Sequence, residues 1–104
     1  MNIGSILQTA IISAIKELYG VDVNASQITL QKTKKEFKGH FTLVTFPLLT
    51  ISRKNPEQTA QEIGTYLADK SPVVSEYNVI KGFLNVTIAS KVWLDLLENI
   101  DKNP

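Results

Sequence analysis

Cysteine is absent from this chain and histidine occurs once, as His40. The first absence excludes disulfides, thiolate catalysis and cysteine-based zinc sites, and it suits a reducing compartment. The second leaves His40 as a surface or turn residue, because one imidazole on a basic loop is a poor metal-ligand set. Neither a G-x-x-x-x-G-K-[ST] loop nor a G-x-G-x-x-G fingerprint occurs. Glu57 and Glu62 are five residues apart on one predicted helix, so they do not form a carboxylate pair for acid–base chemistry. Nothing approaches the ~20 apolar residues that span a bilayer. The apolar run Ile3 to Ile15 is broken by Ser5, Gln8, Thr9 and Ser13, which makes it a helix face and not a signal peptide. The chain by itself does not read as an enzyme.

Its 104 residues make one domain, with ordinary hydrophobic (43%) and charged (20%) contents for a globular protein. The charge is unevenly placed. Between Lys32 and Lys54 stand Lys32, Lys34, Lys35, Lys38, Arg53 and Lys54 against the single acid Glu36. That is a local +5 in a chain of net charge +1, so the other residues carry −4. Phe37, Phe41 and Phe46 are interleaved with the cations. Clustered basic charge is the footprint of an anionic partner, nucleic acid first. A solvated strand edge kept from edge-to-edge pairing by lysines has the same pattern.

Hydrophobic spacing outlines the elements. Ile3, Leu7, Ala10, Ile11, Ala14, Ile15 and Leu18 form one helical stripe over Asn2 to Tyr19, ended by Gly20. A loop over Val21 to Ser26 precedes a short strand over Ile28 to Lys32. A charged connection, Lys34 to His40, leads to a second strand, Phe41 to Phe46, which Pro47 ends. Leu48, Leu49 and Ile51 then cross the core. Asn55-Pro56-Glu57-Gln58 is a helix start, with Asn55 as cap and Gln58 as the other half of a capping box. That helix runs to about Lys70, before Pro72. Strands over Tyr77 to Ile80 and Phe83 to Ile88 flank a Lys81-Gly82 turn. Ser90 caps a last helix bearing Val92, Trp93, Leu96, Leu97 and Ile100, and the tail Asp101 to Pro104 is polar. The pattern predicts an α+β fold: a two-layer α/β sandwich in α-β-β-α-β-β order, with a mostly antiparallel four-stranded sheet and a C-terminal helix. Two helices cover one sheet face and the other is open to a partner. Strand alternation turns Phe46 away from Phe41, and leaves Phe41 either in the core or exposed to stack on a base.

Three blocks carry a family resemblance. Lys34-Lys35-Glu36-Phe37-Lys38-Gly39-His40-Phe41-Thr42-Leu43-Val44, followed by Phe46-Pro47-Leu48, resembles the N-terminal additional domain of arginyl-tRNA synthetases. Asn55-Pro56-Glu57-Gln58-Thr59-Ala60-Gln61-Glu62-Ile63-Gly64 is similar to that family's NP-x-x-x-A-x-x-I helix start. Tyr77-Asn78-Val79-Ile80-Lys81-Gly82-Phe83-Leu84-Asn85-Val86 is similar to its V-x-G-x-G-F-[IL]-N hairpin. Order and spacing agree across residues 28 to 90. The departures are His40 in place of an Asp, Val44 in place of an Asn, and Lys81-Gly82 in place of a Gly-Pro-Gly turn.

The resemblance implies a module over residues 1–90 and a helix and linker over 91–104 leading toward a catalytic domain. It implies contact with the D-loop corner of tRNA(Arg) and with the catalytic domain of the same polypeptide, and neither DNA nor membrane as partner. Lys34, Lys35, Lys38, His40, Phe41, Arg53 and Lys54 are the candidate tRNA-binding residues. No cofactor is implied for this segment; ATP would belong to the full-length enzyme, whose HIGH and KMSKS-type motifs do not occur here. A cytoplasmic location follows for such an enzyme. The competing reading is a protein-interaction module that uses the sheet face or edge, through an apolar patch around Phe83, Trp93 or Leu97.

Overall fold

A computed structural model describes residues 3–92. Helix α1 (Ile3–Tyr19) buries Ile3, Leu7, Ile11, Ala14 and Ile15. Its end is the expected one: Gly20 adopts φ +69° and its N–H reaches the Lys16 carbonyl at 2.9 Å. Strand β1 is Leu30–Lys32 and β2 is Phe41–Val44. Helix α2 is the short turn Leu49–Ser52, α3 is Pro56–Lys70, β3 is Val74–Ile80 and β4 is Phe83–Ile88. Asn55 caps α3 by accepting a hydrogen bond from the Gln58 N–H at 2.7 Å.

The sheet order is β1-β2-β4-β3 and every pairing is antiparallel. The predicted fold class stands. Strand limits moved where packing or proline intervened. β2 stops at Val44, because Thr45 turns into αR backbone and Pro47 sits in a 3₁₀ turn over Phe46–Leu48. The segment expected to cross the core is helical from Phe46 to Ser52. β1 is shorter than expected and begins at Leu30; β3 is longer and begins at Val74, with an irregularity between Val74 and Glu76. Helical residues begin at Ser90 itself, and the expectations for Trp93, Leu96, Leu97 and Ile100 lie outside the described residues.

Cross-strand partners share a face, so the register sorts the sheet. Leu43 opposite Leu84 and Phe41 opposite Val86 point to the helices. Leu43, Leu84, Val86 and Ile88 join Ile11, Ile15, Ile63 and Leu67 in one core. The other face carries Gln31, Thr42, Val44, Asn78, Ile80, Phe83 and Asn85. Among the described residues, helices cover only the first side. At the closed end, the buried Thr45 hydroxyl donates to the Gly82 carbonyl at 2.5 Å and ties β2 to the β3–β4 turn.

Candidate nucleic-acid interface

The helix-free face becomes the candidate functional surface because of the β1–β2 connection. Residues 33–40 lean across the sheet as far as its opposite edge strand. The Asn78 amide of β3 donates to the Lys38 carbonyl at 2.7 Å, and the Lys38 ammonium meets Glu76 at 2.6 Å. The His40 N–H reaches the Val86 carbonyl at 2.8 Å. Its Nδ1 accepts from the Ile88 N–H at 2.9 Å, which assigns the ring hydrogen of the neutral imidazole to Nε2. Gly39, at φ +136°, lies so close that an added Cβ would stand 3.3 Å from both Asn85 Cβ and the Val86 carbonyl oxygen.

Beside this loop the open face holds a cavity of about 300 Å³. Two rings, Phe37 and Phe83, and the apolar side chain of Ile80 contribute to its wall, while Gln31, Thr42 and Asn85 supply polar groups. Lys34 and Lys81 add two cationic residues to it, while Lys32, also in the lining, pairs with Phe41 and turns its side chain to the helix side. Asn85 is 1% exposed and already holds two partners, Thr42 and Asn78. An amide can make four hydrogen bonds, so one donor and one acceptor position remain to it. The site combines flat apolar surface, a small set of fixed polar groups and positive charge. Its size is at the lower end of small-ligand pockets, about 300–1,000 Å³.

The candidates read from sequence do not all gather here. Lys34 lines the cavity, Lys35 is exposed on the same loop, and Lys38 and His40 anchor that loop to β3 and β4. Phe41 is half-buried and packs on the core from the helix side of the sheet, so its ring is committed to the fold. Arg53 is the left-handed residue that ends α2, at φ 58°. Lys54 is paired with Glu62 of α3, and neither it nor Arg53 lines the cavity. Burial works to raise the Glu62 pKa, but hydrogen bonds from Lys54 and Tyr19 and the Lys54 charge outweigh it, and the carboxyl titrates below its usual range. Tyr19, whose hydroxyl donates to Glu62 at 2.7 Å, is held well above the usual phenol range by burial, with the Glu62 hydrogen bond and charge adding to it. This triad joins α1 to α3 and is structural.

Sequence reasoning missed Gln31, Thr42, Ile80, Lys81, Phe83 and Asn85 as lining residues. A signal was present. Thr42 and Asn85 are polar positions between the apolar pairs Phe41/Leu43 and Leu84/Val86, where alternation puts them on the face away from the core. Bringing them together needed the β2–β4 pairing, which joins strands that are not consecutive.

Comparison with known proteins gives a consistent picture. A sequence model of the family described as "Arginyl tRNA synthetase N terminal domain" matches residues 5–88. An arginine–tRNA ligase of Parabacteroides distasonis is 66% identical over 95 residues, which is 91% of this chain and 16% of that protein. One from Phocaeicola vulgatus is 61% identical over 105 residues, covering 100% of this chain and 17% of the relative. The arginyl-tRNA synthetase of Thermus thermophilus superposes with a TM-score of 0.69 at 28% identity, over 88% of this chain and 15% of that one. The chain thus spans about one sixth of the length of the relatives it matches.

Proposed function

Since the chain belongs to the arginyl-tRNA synthetase N-terminal domain family, we propose that it is the tRNA-binding appended domain of an arginine–tRNA ligase and takes an unpaired base of the D-loop corner of tRNA(Arg) into its sheet-face cavity. The observation that carries this reading is the lining itself: Phe37 and Phe83 beside Asn85, with Lys34 and Lys81 around them. Sequence-specific RNA recognition favours unpaired bases stacked on aromatic rings and hydrogen-bonded at their edges. A base–aromatic stack contributes about 1–3 kcal/mol. The lysines would meet phosphates, adding affinity and register without sequence information. The stacking role, considered for Phe41 from sequence, passes to Phe37 and Phe83, while Lys34 and Lys35 keep the electrostatic one.

The rest of the polypeptide would supply ATP binding and the ligase chemistry, in the cytoplasm, with residues 91–104 leading toward it. Binding by the isolated module is expected to be weak and salt-sensitive, because few phosphates are engaged and a net charge of +1 steers little. The test is a titration of the chain with tRNA(Arg) and a non-cognate tRNA transcript at low and high salt. Salt-dependent binding that prefers tRNA(Arg) and weakens on Phe83→Ala supports the reading; binding indifferent to salt and to Phe83 removes it. The exposed ring of Phe46, edge-on to Phe83 at 5.6 Å between centroids, favours a second reading in which this end of the sheet docks on protein.

A further inference from the structure

A single directed chain of hydrogen bonds runs across the open face from Thr33, where the basic loop begins, through the cavity residues Thr42 and Asn85 to Lys38 further along the same loop. Its last acceptor is the Lys38 carbonyl, reached by Asn78 Nδ2 at 2.7 Å. A carbonyl can only accept, so Asn78 must present its nitrogen to Lys38 and its oxygen to its neighbour. That oxygen receives Asn85 Nδ2 at 2.9 Å, which turns Asn85 Oδ1 toward Thr42. The Thr42 hydroxyl donates to Asn85 Oδ1 at 2.5 Å, and with its only hydrogen used there it accepts from the Thr33 hydroxyl at 2.9 Å. Every donor in Thr33, Thr42, Asn85 and Asn78 thus points the same way, and the direction is set at Lys38. Reversing either amide would place two donors or two acceptors face to face.

We propose that Asn78 is a positioning residue for RNA recognition: it fixes the seat of the basic β1–β2 loop and the amide orientation of Asn85 in the cavity. The inference rests on the RNA reading above, which does not assign Asn78 a role. Asn78 does not line the cavity itself. It stands between the two parts of the site, the amide among the lining groups and the loop carrying Lys34 and Lys35. Holding both before the ligand arrives removes ordering cost from binding. Asn78 also limits which edge of a base fits, since the donor and acceptor left to Asn85 have assigned places.

The experiment compares wild type, Asn78→Ala and Lys38→Ala by amide hydrogen exchange and by titration with a tRNA(Arg) transcript. Lys38→Ala removes a cation and its Glu76 pair but leaves the backbone carbonyl, so it separates charge from latch. In Asn78→Ala, exchange of the Phe37 and His40 amides, bonded to Lys34 O and Val86 O, should speed up while α1 and α3 amides keep their protection. Affinity should fall roughly tenfold, the effect of about one lost hydrogen bond. Discrimination against a transcript altered at the bound base should narrow in the same variant. Lys38→Ala should keep both loop exchange and discrimination close to wild type. Unchanged loop exchange in Asn78→Ala overturns the proposal, and so does faster exchange with affinity and discrimination intact. A wild-type chain that binds no tRNA overturns the RNA reading itself, and with it the ligand role of Asn78; faster loop exchange would then stand as a structural latch alone.

Discussion

Tyr77 of β3 lays its ring across Gly64 of α3, and its hydroxyl grips the helix on both sides of that glycine. The hydroxyl donates to Gln61 Oε1 at 3.1 Å and accepts from the Thr65 hydroxyl at 2.8 Å. A Cβ on Gly64 would stand 2.7 Å from Tyr77 Cε2, well inside contact distance. In an exposed helix, Gly→Ala is stabilising by up to about 1 kcal/mol. Here the sign reverses. Gly64→Ala is expected to destabilise the domain by about 1–3 kcal/mol through overpacking, seen as a lower urea midpoint. A midpoint at or above wild type would show that the ring moves aside freely.

The β3–β4 turn makes the opposite case. Lys81 holds φ 51° and Gly82 φ 82°, the two positive angles of a two-residue hairpin turn. Left-handed backbone costs a residue with a side chain about 1–2 kcal/mol. Lys81→Gly should therefore keep or raise thermal stability while weakening tRNA binding, because one cavity cation is lost. The slope of log K against log salt should shrink by about 0.7–0.9, one phosphate contact. Gly82→Ala, whose Cβ would come 2.5 Å from Pro56 Cβ, should instead unfold at lower temperature.

Phe41 and Phe83 should separate stability from binding. Phe41 packs on the core, so Phe41→Ala should cost about 2–4 kcal/mol of folding free energy. At a temperature where the variant is folded, its tRNA affinity should match wild type. Phe83→Ala should weaken binding by about 1–3 kcal/mol, the loss of one stack. Equal binding losses in both variants would mean that affinity follows general integrity and not the cavity.

The Tyr19–Glu62–Lys54 triad predicts pH dependence at both ends of the scale. The folded-state pKa of Glu62 lies below its unfolded value of 4.5. Its contribution is complete above pH 4.5 and is lost as pH falls through the lower folded value. Tyr19 is raised above its unfolded value of 10.0, so its contribution is complete below pH 10 and is lost as pH rises toward the folded value. Melting curves of wild type and Glu62→Gln should differ by about 1 kcal/mol at neutral pH and converge in acid below pH 4.5. A difference that stays constant into acid would remove the carboxylate from the account.

Much of this domain was legible residue by residue. The α1 stripe apart from the exposed Leu18, its stop at Gly20, the Asn55 cap and the limits of β4 follow from spacing and local backbone chemistry, and recur in the structure. The site was legible in charge and less so in shape. Lys34 lines the cavity and Lys35 is exposed on the same loop, but Lys54 is joined to Glu62 one helix along, and Lys38 to Glu76, a partner remote in sequence. Phe41 was ambiguous because a one-residue change of register moves a strand side chain to the other face.

What the sequence by itself determined is the order of elements, their caps, and the apolar stripe each presents, since helix and strand periods are written in neighbouring residues. What only the tertiary structure decided is that β2 lies beside β4, and that residues 33–40 lean over both. That pairing sets Thr42 opposite Asn85, which the local β3–β4 hairpin already sets opposite Asn78, and so completes the polar line and the cavity. Contacts between residues more than forty positions apart depend on how whole elements share one core, and no local spacing encodes them.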